Sequence, residues 1–509
     1  MCLLPGRPAG DHHRRSEGVS APPRTRRENS VVTPTRNGST HRPGRTLALL
    51  AFAQFMTAID FDIVFVALPD IGRSLGFSDV SLQTVVSAYT VVFGGFLLLG
   101  GRAADRLGAR RVFVVGLALF GASSLAAGLA DGPTALVAAR AVQGLGAALL
   151  TPATLKLISS HFAEGTERNR AMAVWGAAGA SGAAIGALGG GVLTSLLGWE
   201  SVFLVNVPLV LVALVATPVL LAADVPAAGA RNFDLPGALL VTAGATLVVL
   251  GLVSGPEAGW LSAPGAGALL VGAVLLALFV VVEARTRDPL VPLRLFANRN
   301  VLAAVTVVFV FMGTIGTLYY LFTTYLQDVL GYSPLQAGLA FLPLSLCSIA
   351  ASILLVPLLL GRFGIRTTLV VGMTGVAASM VAMALGMSVG AGYWATLPAV
   401  LLWGTFAGLS FPPLFIAVAT GVPAEQQGVA AALASTSQYI GSAVGLAALV
   451  AVATAGVGPA AGPDVVVAGL RDASWVAAAV TLVGAVLAAL ILRATPAPAD
   501  APVAALDEV

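Results

Sequence analysis

Two cysteines, Cys2 and Cys347, and four histidines are all that a chain of 509 residues carries of these types. They are too few for a disulfide framework, a cysteine-rich zinc module or an iron–sulfur site, and no histidines stand at metal-ligand spacing. Charge is also scarce: Asp, Glu, Lys and Arg make up 10% of the chain, against about a quarter in a soluble globular protein. Lysine is reduced to Lys156, and no G-x-x-x-x-G-K-[ST] loop surrounds it, which excludes a phosphate-cradling site of that kind. The chain is instead apolar, with 57% hydrophobic residues and a mean hydropathy of +0.92, more than a water-soluble fold can hide. The net charge of +3 comes from arginines confined to one tail and a few short loops, a pattern of membrane topology and not of a nucleic-acid surface.

Residues 1–46 are rich in Arg, Pro and Ser and lack an apolar run, so they read as a disordered tail. Met1 to Gly10 lacks the apolar stretch of a signal peptide, and targeting is expected through an uncleaved first helix. From Leu47 to Arg493 the chain offers fourteen apolar stretches near the length of about 20 residues that a bilayer requires. They are 47–69, 81–101, 112–130, 134–157, 171–196, 201–222, 236–255, 265–283, 300–326, 336–359, 367–388, 393–420, 428–455 and 473–493. With the tail inside, the inner loops hold Arg102, Arg106, Arg110, Arg111, Arg168, Arg170, Arg231, Arg285, Arg287, Arg294, Arg299, Arg362, Arg366 and Arg493, and the outer loops only Arg73 and Arg471. Short cytoplasmic loops collect such charge, so both termini are expected in the cytoplasm. Trp199, Trp260, Trp394 and Trp475 all fall at expected outer ends, where indole rings favour the interface.

The loop after the second stretch, GRAADRLGARR (Gly101 to Arg111), and that after the tenth, LGRFGIRT (Leu360 to Thr367), share R-x-G-x-R. This repeat divides the chain into a six-helix bundle at 47–222, a linker with two inserted helices at 223–298, a second six-helix bundle at 299–494 and a tail at 495–509. Repeated bundles around a central site are a transporter architecture.

Three charged positions stand deep inside the stretches. Asp60 lies about 13 residues into the first, roughly 20 Å along a helix and near mid-bilayer. A charged group there is costly, and a carboxyl so placed is suited to exchanging protons. Arg140, in the fourth, carries an insertion cost of about 2.5–3.5 kcal/mol and should face a cavity or an acid. Asp62 follows Asp60 by two residues, and residues so spaced do not share a helix face. Asp60 is expected to face the cavity and Asp62 to point aside.

These segments carry a resemblance. The loop GRAADRLGARR is similar to the G-x-L-A-D-R-x-G-R-K signature of the major facilitator superfamily, with Ala103 for Leu and Ala109 for Arg. Arg140 to Gly146 resembles its R-x-x-Q-G-x-G motif. Gly182 to Gly191 resembles the antiporter signature G-x-x-x-G-P-x-x-G-G, with Ala187 in place of Pro, and Ala58 to Pro69 resembles L-D-x-T-I-V-N-V-A-L-P, with Asp62 for Thr and Phe65 for Asn. Trp199 to Pro208, Arg287 to Phe296 and Tyr325 to Pro334 match the same family, and Gly361 stands where the second-half loop often has Asp. The chain thus looks like a 14-helix drug:proton antiporter over nearly all of residues 47–493.

The resemblance implies an all-α membrane protein of two pseudo-symmetric six-helix bundles plus two inserted helices. It also implies proton-coupled export of an amphipathic drug or antibiotic by alternating access. Asp60 and Arg140 would couple protons, while Gly101, Asp105, Arg106, Gly108 and Arg110 would form a latch in which Asp105 pairs with an Arg or caps a helix of the facing bundle. Gly182, Gly186, Gly190 and Gly191 would pack the fifth helix on its partner in the other half, and Asp62, Gln143 and Tyr319 are candidates for the substrate cavity. No metal, cofactor, enzymatic activity or nucleic-acid partner is implied. The partners are a small molecule, protons and the lipid bilayer of the cell membrane, and the chain is expected to act as a monomer. A proton symporter importing a metabolite, or a non-transporting sensor on the same scaffold, stays open at this point.

Overall fold

The computed structural model describes residues 43–78, 81–163, 166–221, 224, 234–286, 289–422, 424–457 and 462–492. Nearly all of the tail expected at 1–46, the loop arginines Arg231, Arg287 and Arg493, and the tail at 495–509 lie outside them. Among the described residues the chain is helical, without a β-strand.

The first six crossings are α1 (Pro43–Leu75), α2 (Thr84–Leu107), α3 (Ala109–Gly128), α4 (Pro133–His161), α5 (Thr166–Leu197) and α6 (Ser201–Leu220). The inserted pair follows as α7 (Leu235–Ala258) and α8 (Ala263–Arg285). The second set begins with α9 (Arg299–Val329). The stretch Pro334–Gly386 then holds α10 (334–363) and α11 (365–386), joined at Gly364, whose φ of 73° breaks the helix. α12 (Tyr393–Ala419), α13 (Ala424–Ala453) and α14 (Pro463–Ile491) complete the fourteen.

Expectation and structure differ mainly at helix ends. α1 starts at Pro43, inside the segment read as tail. α14 starts at Pro463, ten residues before the expected position, because Asp464, Arg471 and Asp472 belong to its first turns. Helices longer than a bilayer core project polar turns into the headgroup region, where charged side chains are tolerated. One of the four tryptophans departs from the expected belt, since Trp199 is buried against Phe203.

The two halves repeat one packing scheme. In the first, α1 packs on α5 and α6, α4 on α2 and α3, and α3 on α6; in the second, α9 packs on α13 and α14, α12 on α10 and α11, and α11 on α14. Each second-half pair is a first-half pair shifted by eight helices. The contacts between halves obey the same shift, since α2 meets α13 and α10 meets α5. The joint is repeated as well, because Gly108 between α2 and α3 and Gly364 between α10 and α11 both adopt positive φ, which only glycine does without strain. The inserted α7 packs on α8 and leans on α2 and α13.

One face of the molecule carries the connections after odd-numbered helices. The other carries those after even-numbered helices together with the start of α1 and the end of α14, and is called here the arginine-rich face.

Candidate functional site in the helix bundle

Asp60 stands in the middle of the 33-residue α1, 0% exposed. A bare carboxylate at that depth would be prohibitive, and donors from two helices converge on it. Arg140 of α4 donates from NH1 to Oδ2 at 2.9 Å, Gln143 from Nε2 to Oδ1 at 2.7 Å, and Asn206 of α6 from Nδ2 to Oδ1 at 2.7 Å. Arg140, 1% exposed, also donates from Nε to the carbonyl of Val85 at 3.0 Å and from NH1 to Oε1 of Gln143 at 2.6 Å. Its guanidinium lies over the Tyr89 ring, 4.3 Å from the centroid. Gln143 Nε2 reaches Ser124 Oγ of α3 at 2.8 Å. The position of the arginine follows from helix periodicity, since Arg140 and Gln143 are three apart and share a face.

This network closes wholly within the first bundle, which corrects the expected orientation. Asp60 points into its own half, and Asp62, two residues on, turns toward the other half. Asp62 is 8% exposed and lies within electrostatic reach of Tyr319 of α9 and Tyr439 of α13. Both rings belong to an aromatic seam between the halves. Tyr319 stacks on Phe341 with centroids 5.3 Å apart and meets Trp403 edge-on at 4.8 Å and Phe65 at 5.7 Å. Tyr439 stacks on Phe93 at 4.0 Å and meets Phe61 at 6.1 Å. Of the three residues expected at a cavity, Asp62 and Tyr319 therefore lie within electrostatic reach of each other across the seam, whereas Gln143 belongs to the Asp60 network.

The glycine face of α5 is also reassigned. A Cβ on Gly182, Gly186 or Gly190 would come within 2.7, 3.0 and 2.4 Å of the carbonyl oxygens of Phe55, Ile59 and Ile63, all on α1 of the same half. Gly191 alone of the four meets the other half, at the carbonyl of Pro334, and beside it Gly338 of α10 approaches the carbonyl of Ala187. The absence of side chains brings α1 and α5 backbone to backbone, and this places Asp62 beside Gly186 at the seam.

In the α2–α3 loop, Gly101 faces Pro152 of α4. Asp105 pairs with Lys156 of α4, within its own half and not with a facing-bundle arginine. Arg106 is exposed at the end of α2. The N-terminus of α3 is capped by Asp224, whose oxygens accept from the backbone amides of Arg110 at 3.0 Å and Arg111 at 2.9 Å. A Cβ on Gly108 would meet that carboxylate. Arg102, near the end of α2, also reaches beyond its half and donates to the carbonyl of Pro289 ahead of α9.

Sequence reasoning missed Asn206, Tyr439 and Asp224. An Asn inside an apolar run was the available signal for the first, while Tyr439 and Asp224 gain meaning only from helices distant in sequence.

The family model of the Major Facilitator Superfamily matches residues 50–446. The chain is 38% identical to the puromycin resistance protein pur8 of Streptomyces alboniger, over 89% of this chain and 92% of that one. It is 39% identical to the cephamycin export protein CmcT of Amycolatopsis lactamdurans, over 83% and 87%. Among solved structures, a D-xylose-proton symporter superposes with a TM-score of 0.64 at 14% identity, covering 89% of this chain and 99% of the other. That likeness is one of fold. This multi-pass membrane protein belongs to the Major Facilitator Superfamily.

Proposed function

We propose that the chain exports an amphiphilic small molecule of the antibiotic kind in exchange for protons, as a monomer in the cell membrane with its arginine-rich face in the cytoplasm. The relatives named for puromycin resistance and cephamycin export support the direction and the substrate class. The crowding of arginines on one face supports the orientation.

The observation that carries the coupling is Asp60 itself, in the one buried ion pair among the described residues. A proton on its carboxyl removes the charge that balances Arg140 and turns one acceptor oxygen into a donor, so the bonds to Arg140, Gln143 and Asn206 cannot all persist. α1 is then free to shift against α4 and α6. Asp62 rides on the same helix two residues away, and the shift reaches the aromatic seam where Tyr319 and Tyr439 stand. Aromatic rings beside a carboxylate suit a lipophilic cation, through apolar contact and cation–π attraction of about 0.5–2 kcal/mol. In this reading Asp60 serves the proton and Asp62 the substrate.

The test uses everted membrane vesicles energised by a proton gradient, with the dye ethidium or puromycin supplied outside them. Asp60→Asn should abolish gradient-driven uptake into the vesicles while leaving the protein inserted. Uptake at the wild-type rate in this variant would remove Asp60 from the coupling.

A further inference from the structure

A second pair of acids lies far from Asp60, where the inserted helices meet the arginine-rich face. Asp234 precedes α7 and Glu283 lies in the last turn of α8, 4% and 2% exposed. Each has one oxygen accounted for. Asp234 Oδ1 accepts from the amide of Gly237 at 2.9 Å, and Glu283 Oε2 accepts from the amide of Val291 at 3.0 Å. The other two oxygens, Asp234 Oδ2 and Glu283 Oε1, are buried with no donor in reach among the described residues. They converge over the bare Cα of Gly237, where a Cβ would lie 2.5 Å from Glu283 Oε1 and 2.9 Å from Asp234 Oδ2. The two side chains are close enough to share a hydrogen bond, provided that one of them carries a proton.

The surroundings make that condition pressing. Two ionised carboxylates would repel at close range in a buried setting, and each unpaired oxygen would bear the cost of desolvation. One proton between them removes both penalties. Among the described residues, the charged groups that reach Glu283 from packed elements are Asp234 and Arg102 of α2. A pair holding one proton keeps a single negative charge, which one arginine balances.

The geometry points to Asp234 and Glu283 as a proton-binding site, separate from Asp60, that clamps the segment leading into the second half when a single proton is shared between Oδ2 and Oε1. The segment concerned is Pro289–Val291. Arg102 of the first half holds its Pro289 carbonyl, Glu283 of the insert holds its Val291 amide, and Leu290 and Val291 are buried. Loss of the proton would leave two facing negative charges, drive the start of α7 from the end of α8 and loosen this strut. Alkaline pH on the arginine-rich face should therefore release it. The site binds its proton whether or not the chain exports a drug.

Infrared difference spectroscopy on the full chain in nanodiscs tests the assignment without any transport assay. At neutral pH the wild type should show the C=O stretch of a protonated carboxyl that is lost in Glu283→Gln and equally lost in Asp234→Asn, because either amide supplies the missing donor and lets the remaining acid ionise. A band unchanged in both variants, or lost in only one, would overturn the shared proton. So would its absence in the wild type together with a carboxylate band that moves on adding calcium, which would make the pair a cation site. A second measurement needs no variant. In hydrogen–deuterium exchange of the wild type, corrected for the intrinsic rate, protection of the Val291 amide should be lost as pH rises, and constant protection would refute the clamp.

Discussion

Replacing Arg140 by Met, alone and together with Asp60→Asn, measures what holds α1 to α4. In the single variant Asp60 keeps its two amide donors, Gln143 and Asn206, both at 2.7 Å, and loses its only cation. Breaking a buried pair by removing one partner costs about 3–5 kcal/mol, chiefly because the other charge stays behind uncompensated. The converse single variant, Asp60→Asn, strands Arg140 against the Val85 carbonyl, the Gln143 amide oxygen and the Tyr89 ring. It should cost somewhat less, because three groups still face the guanidinium. The double variant leaves neither partner stranded and should recover most of the loss, so each single loss should exceed that of the double by about 2–3 kcal/mol, and the losses should be far from additive in a double-mutant cycle. Denaturant unfolding in a fixed detergent reads the stability, and vesicle transport is measured on the same preparations. The double variant should be stable and silent, since it lacks a group that titrates. Additive losses across the cycle would show that the ion pair is absent from the folded protein, and gradient-driven transport by the double variant would refute its role in coupling.

Three further outcomes follow from the same geometry. Asp62→Asn should raise KM for a lipophilic cation while leaving efflux of a neutral amphiphile unchanged; an equal loss for both would place Asp62 in the coupling step instead. Gly190→Val should lower the unfolding free energy by about 1–3 kcal/mol, as overpacking does, because its side chain would enter the Ile63 carbonyl, and a neutral effect in detergent unfolding would contradict the α1–α5 contact. Asp105→Asn removes an exposed ion pair with Lys156 worth about 0–1 kcal/mol. It should slow turnover at saturation more than it weakens drug binding by equilibrium dialysis, and a tenfold fall in binding with unchanged turnover would show the loop to be part of the binding site.

The number and order of the crossings were legible in the sequence because apolar runs of bilayer length and arginine placement give the same count. Their ends were less so: Asp464, Arg471 and Asp472 look like a loop in one dimension and are the projecting turns of α14 in three. That Arg140 needs a cavity or an acid followed from the cost of burying it, and in the structure it meets an acid, Asp60. The direction in which Asp60 faces did not follow, since spacing separates the faces of Asp60 and Asp62 without saying which face meets which helix. The same gap explains the glycines of α5. A stripe of small residues announces a close neighbour, and it took the fold to identify α1 as that neighbour for Gly182, Gly186 and Gly190.

The eight-helix shift also sets the two halves side by side chemically. In the first half Asp60 of α1 is bonded by Asn206 of α6. Shifted by eight helices, that pairing becomes α9 with α14, and there the buried polar contact is Thr481 Oγ1 donating to Thr314 Oγ1 at 3.0 Å. Thr481 also reaches its own helix at Ala477 and the Met380 sulfur. Both contacts tie a half's first helix to its sixth, but one contains a carboxylate balanced by an arginine and the other contains hydroxyls. A hydroxyl pair keeps the same charge at every physiological pH, so its bond cannot be made and broken by proton uptake. Asp60 can do both, and it sits in a half whose α1 also presents Asp62 to the aromatic seam. In the proposed mechanism the carboxylate that takes up the coupled proton thus belongs to one half of a symmetric packing. The other half offers Tyr319, Phe341, Trp403 and Tyr439 as an aromatic wall on the far side of the seam from α1.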